Sequence, residues 1–188
     1  MSWLTLAAVL PVLAAESPSY GADFSLSYGM GALLNRWPES NVHGFGGLRF
    51  DFFPTPLDVP GPRVGGSIWA RGSAWPGPTA TETVGGTVNQ FDIRWQQYGM
   101  HLAIRSDALR AWGGTFGFGF SRMDIEDYYD GVIALPLMSL EGGLRRELGR
   151  GFVDLYAAGG WATARNETGG WEEWWTLSGN LAAGVHLR

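Results

Sequence analysis

The residues available for acid–base or nucleophilic chemistry in this 188-residue chain are few: three histidines, His43, His101 and His186, no cysteine, and scattered carboxylates. A histidine acts as a general base only when a hydroxyl or carboxyl group lies within hydrogen-bond reach. The densest acidic stretch is Asp124-Ile125-Glu126-Asp127-Tyr128-Tyr129-Asp130-Gly131, which sets Asp124, Glu126, Asp127 and Asp130 close together. Carboxylates suit calcium or magnesium, but the spacing matches no EF-hand loop, and a solvated acidic outer loop is the plainer reading. Without cysteine, thiolate metal sites and disulfides are excluded. A net charge of −5 argues against nucleic acid as a partner. No catalytic residue, cofactor or metal is therefore expected.

What would position these groups is a set of strands. In Phe24-Ser25-Leu26-Ser27-Tyr28-Gly29-Met30-Gly31 the large apolar residues alternate with serine and glycine. Trp112 to Phe120 does the same, with Phe116, Phe118 and Phe120 set against Thr115, Gly117 and Gly119. The stretch after Trp175 alternates Leu177, Leu181, Ala183, Val185 and Leu187 with Ser178, Asn180, Gly184 and His186. Successive side chains on a strand point to opposite faces, so each segment has one greasy and one small, polar face. Eight such segments can be marked, at 21–33, 43–53, 63–73, 88–105, 111–123, 133–146, 152–164 and 174–187. The connections at 54–62, 106–110 and 147–151 alternate with a longer set at 34–42, 74–87, 124–132 and 165–173. Short turns alternating with longer loops, and strands of at least the ~9–11 residues needed to cross a bilayer, describe a membrane barrel. The fold expected is all-β, an eight-stranded antiparallel up-and-down transmembrane β-barrel with its termini on the periplasmic side. In 88–105 the apolar set runs Phe91, Ile93, Trp95, then Tyr98, Met100, Leu102. This change of phase predicts a β-bulge at Gln96-Gln97.

Two architectures share the pattern and invert it: a soluble lipocalin-like barrel holds its apolar face inside, a membrane barrel turns it to lipid. Opposite the apolar face stand Gly, Ser and Thr, punctuated by Arg49, Asp51, Arg71, Asp92, Arg94, Glu141, Arg145 and Asp154. A water-facing surface would be more densely charged, and charged residues are only 16% of the chain, with every basic residue an arginine. These four acids and four arginines therefore read as a charge network in the lumen, where buried charges must pair. Aromatic residues sort to the two ends: Phe52, Phe53, Trp112 and Phe152 at one, Trp37, Trp75, Trp161, Trp171, Trp174 and Trp175 at the other. Two interfacial girdles are expected of a membrane barrel.

Strand count, alternation and girdles over residues 21–188 resemble the small eight-stranded bacterial outer-membrane proteins, such as the OmpA membrane domain and OmpX. The resemblance implies a bacterial outer-membrane location, with outer-membrane lipid and lipopolysaccharide around the wall and other envelope proteins as partners. It implies a structural or surface-interaction role, a side-chain-filled lumen and no catalysis. The alternatives are a lipid A-modifying enzyme and a soluble secreted binding barrel. Lipid A deacylases carry a His-x-Ser arrangement on a strand, whereas His101-Leu102-Ala103 has no serine in that place. His101 and His186 read as polar residues satisfied within the lumen, and His43 falls near the outer rim. In such families the last strand typically ends on an aromatic residue; here the sequence runs Val185-His186-Leu187-Arg188.

The apolar run Trp3 to Ala15, followed by Glu16-Ser17-Pro18, is too short for a membrane helix. It reads as a cleaved signal peptide over residues 1–15, ahead of a single domain over 16–188.

Overall fold

A computed structural model describes residues 20–34, 42–56, 61–74, 79–84, 86–92, 94–106, 111–127, 131–165 and 169–187. The leader assigned to 1–15 lies outside the described residues, as do Trp37, Trp75 and Asp130. The strands are β1 (Tyr20–Leu34), β2 (His43–Pro56), β3 (Arg63–Ala74), β4 (Thr79–Val84) and β5 (Thr87–Asp92). They continue with β6 (Arg94–Arg105), β7 (Trp112–Asp127), β8 (Gly131–Leu148), β9 (Gly151–Arg165) and β10 (Trp171–Leu187). Eight of them close a barrel in the order β1-β10-β9-β8-β7-β6-β3-β2, every pair antiparallel. Closure pairs every barrel strand with two neighbours along the belt, which is how a β-structure satisfies its backbone in lipid. The first and last barrel strands pair with each other, Phe24 opposite Val185, so both begin and finish at one end. That end, with the short β8–β9 connection at Gly149 (φ +74°), is called the turn end here; the other is the loop end.

The apolar face is outside. Leu26, Tyr28, Leu48, Ile68, Met100, Phe118, Phe120, Leu140, Leu155 and Leu177 are all exposed. Their strand neighbours Ser25, Arg49, Ser67, His101, Ser121, Ser139, Glu141, Asp154 and Ser178 are buried in the lumen. This is the reverse of a soluble ligand-binding barrel. Charge marks where the outer belt stops: along β7 the outward series Phe116, Phe118, Phe120 gives way to Arg122 and Glu126 at the loop end. At the turn end the guanidinium of Arg146 lies over the ring of Trp112, 4.8 Å from its centroid.

Two sequence expectations fail on the same segment. No bulge occurs at Gln96-Gln97: β6 stays in register with Arg71 opposite Gln97 and Gly72 opposite Gln96, and β7 faces it without interruption. Burial alternates straight through, with Trp95 and Gln97 inside and Gln96 and Tyr98 outside. The phase change arose from joining two elements. Residues 87–92 belong to β5, which pairs with β4 as a separate two-stranded hairpin outside the barrel, Thr83 opposite Val88. Gly86 turns that hairpin with φ +86°, a conformation costly for any residue with a Cβ. Trp95, counted with the lipid face, points into the lumen and is 7% exposed.

The wall is also uneven at its loop end. β7 and β8 pair as far as Asp127 opposite Gly131, and β9 and β10 as far as Arg165 opposite Trp171. Between β8 and β9, however, pairing stops at Met138 opposite Trp161. Beyond that point β8 has a partner on one side only, which is where a strand tolerates Pro136.

Candidate functional site: the lumen and its loop end

The turn-end half of the lumen holds an alternating ladder of charge. Arg49 is bound through Nη1 to Glu141 and donates from Nε to Asp51 at 2.6 Å. Asp51 also takes Nη2 of Arg105, whose Nη1 lies 3.7 Å from Asp154. Arg145 grips Asp154 with two parallel bonds of 2.7 and 2.9 Å and donates to Asp23 at 2.5 Å. His186 closes the series, 2.8 Å from Asp23 through Nδ1 and 2.8 Å from Glu147 through Nε2. Each charge thus has an opposite charge on either side, and the side chains of the arginines are 5–9% exposed. Bidentate and charge-assisted contacts of this sort are among the strongest a protein makes. Room for them comes from inward glycines. At Gly117 a Cβ would stand 2.7 Å from Oε1 of Glu141, so only glycine leaves that carboxylate its place.

The loop-end half is apolar. Phe45, Trp95, Met123, Ile125, Leu135, Leu137, Ala162 and Trp174 pack together as a buried core inside the barrel. His43 sits against it, 5.3 Å from the Trp95 ring, and its Nε2 receives the Trp95 indole N–H. At the junction of the two halves Arg71 donates to Gln97 at 2.8 and 2.5 Å and to Ser178 at 3.1 Å. Its guanidinium lies 4.9 Å from the centre of Phe45, 5.3 Å from Trp69 and 5.5 Å from Trp95.

Of the eight residues expected in the lumen, Arg49, Asp51, Arg71, Glu141, Arg145 and Asp154 are there. Arg94 is exposed, because the unbroken phase of β6 turns it outward next to inward Trp95. Asp92 ends β5 in the hairpin, outside the barrel. Asp23 and Arg105 complete the ladder, and the period-two alternation along β1 and along β6 puts both on the inner face. The acidic loop is also redrawn, since β7 extends to Asp127 and makes Asp124, Glu126 and Asp127 strand residues. Asp124 accepts from Nε of Arg122 at 2.7 Å on the outer surface. Among the described residues no group of three potential metal ligands is found. The girdles are thinner than expected: Trp112, Trp161, Trp171 and Trp175 face outward, whereas Trp174, Phe53 and Phe152 are inside and at most 2% exposed.

One cluster has the order of a nucleophile, base and acid. Nε2 of His101 lies 2.7 Å from Oγ of Ser139, and Nδ1 lies 3.6 Å from Oε2 of Glu141. The resemblance ends there. Nε2 also receives the Trp69 indole N–H at 3.3 Å, and Glu141 is held by Arg49. The adjoining cavity is about 20 Å³, room for a water and not for an ester. These residues form a polar network across β3, β6 and β8, in which Nδ1 of His101 has no hydrogen-bond partner.

No protein-family model matches the chain, and no curated protein matches it in sequence. Solved structures do match in shape. The outer membrane protein OprG of Pseudomonas aeruginosa aligns over 90% of this chain and 96% of its own, at 8% identity and a TM-score of 0.58. Neisserial surface protein A aligns over 92% of this chain and 99% of its own, at 10% identity and a TM-score of 0.51. At such low identity the likeness speaks for shape alone, and it agrees with the strand count, closure and outward apolar belt: the chain has the fold of the small eight-stranded outer-membrane β-barrels.

Proposed function

We propose that this protein resides in the bacterial outer membrane as a closed, non-conducting and non-enzymatic barrel that holds its loop end at the cell surface. The observation that carries the reading is the doubly filled lumen, a charge ladder below and an apolar core above, inside a wall whose apolar side faces out. A pore needs a continuous water path, and a small barrel filled by its own side chains lacks one. What the barrel then offers to other molecules is its rim. There the β4–β5 hairpin and the end of the β7–β8 pair reach past the belt. Outer-membrane lipid and lipopolysaccharide surround the wall in this reading, and other envelope proteins meet the rim.

Two readouts on one epitope-tagged protein test it. With the tag inserted at Gly86, intact cells are expected to bind the antibody, and the purified protein to give no steady current in planar bilayers. Antibody binding only after the outer membrane is permeabilised, or a steady large channel, contradicts the proposal.

A further inference from the structure

The junction between the two halves of the lumen contains a charge without a counter-charge. Among the described residues, Arg71 donates only to the neutral acceptors Gln97 and Ser178, whereas Arg49, Arg105 and Arg145 each meet carboxylates. Arg71 lines the 20 Å³ cavity beside His101, together with Ser27, Arg49, Trp69, Ser139, Glu141 and Tyr156. Arg49 lines the same cavity, and its Nη2 has no hydrogen-bond partner, on a residue only 7% exposed. The one carboxylate on the cavity, Glu141, is already engaged, bound to Nη1 of Arg49 and 3.6 Å from His101. Glu141 and, from outside the cavity, Asp51 compensate Arg49, so Arg71 is the charge on the cavity wall that no ion pair meets among the described residues. The aromatic rings around Arg71 offset part of that charge through their negative faces, but supply no counter-ion.

We propose that this cavity is a binding site for one halide ion, chloride under ordinary conditions, held between the guanidiniums of Arg49 and Arg71. The volume admits a monatomic ion or a water and is too small for phosphate or a carboxylate. The site is independent of what the rim recognises. It makes the ion a component of the plug, binding the folded barrel and not the unfolded chain, so chloride raises folding stability by mass action.

The test uses the full barrel refolded in detergent, with chloride replaced by gluconate at constant ionic strength. The thermal midpoint, followed by tryptophan fluorescence, is expected to drop by several degrees in gluconate and to be restored by bromide. Arg71→Gln should lose this response. Should that variant not fold, Ser27→Val, which narrows the cavity and leaves both arginines in place, should lose it as well. Crystals soaked in bromide should show an anomalous peak between Arg49 and Arg71. A midpoint indifferent to chloride, or bromide peaks confined to the protein surface, would overturn the proposal and would mean that water alone fills the cavity.

Discussion

Replacing Asp51 with alanine is expected to destabilise the barrel by about 3–5 kcal/mol, the usual cost of stripping one partner from a buried ion pair. Asp51 is 1% exposed and joins two arginines, one from its own strand and one from β6. Its removal leaves Arg105 with only the looser 3.7 Å contact to Asp154, deep in a lumen that water does not reach freely. The exposed pair Arg122–Asp124 is the control. Its 2.7 Å bond is as short, yet the Arg122 side chain is 55% exposed. Solvent competes for both partners, so Asp124→Ala should leave stability nearly unchanged. Urea unfolding of the refolded barrel measures both. Adding Arg105→Met to Asp51→Ala should recover part of the loss, because the orphaned charge and not the missing bond dominates the cost. Equal, small effects from Asp51→Ala and Asp124→Ala would mean that the lumen is wetter than the ladder implies.

The second large effect belongs to the outer wall. Leu140 is half exposed, in the middle of the belt on β8, between outward Gly142 and Met138. In a bilayer, Leu140→Arg should cost about 2–4 kcal/mol, as expected for arginine near the midplane of a membrane barrel. Thr163→Arg, on the same outer face of β9 but beyond Trp161, should cost about 0–1 kcal/mol near the interface. The ordering, more than either value, carries the information. An outer wall bathed in water would tolerate both substitutions alike. Unfolding midpoints in bilayers of one lipid composition compare them directly.

The sequence made the barrel readable because its two faces differ so sharply in residue type. Phe116, Phe118 and Phe120 against Thr115, Gly117 and Gly119 leave little doubt about strand phase, and phase alone assigns Arg49, Asp51, Glu141, Arg145 and Asp154 to one face. The errors fall where composition does not separate the faces. Trp95 is apolar and yet points inward, because the loop-end half of the lumen is an apolar core; read as a lipid-facing residue, it forced a bulge between Gln96 and Gln97 that does not exist. The same mistake concealed the β4–β5 hairpin, whose second strand was fused to β6, and carried Asp92 and Arg94 into the lumen. Trp174 was misplaced for the same reason, since tryptophan suits both a girdle and a core. The pairing of charges was not legible at all. Arg145 meets Asp23 across 122 positions of sequence, a contact created only by closing β1 onto β10 and β8 onto β9.

The account rests most heavily on the apolar belt facing lipid. Because the chain has no cysteine, single cysteines carrying a spin label can be placed at will. Phe118, Leu140 and Leu177 lie in one row of the outer wall, Phe118 opposite Leu140, with Gly159 pairing to both Leu140 and Leu177. Glu126 lies on the outward face of β7 at the loop end. In bilayers, labels on the three row positions should collide freely with oxygen and hardly at all with a water-soluble nickel complex, and the label at Glu126 should do the reverse. Nickel access at Phe118, Leu140 and Leu177 equal to that at Glu126 would place the belt in water and contradict the account.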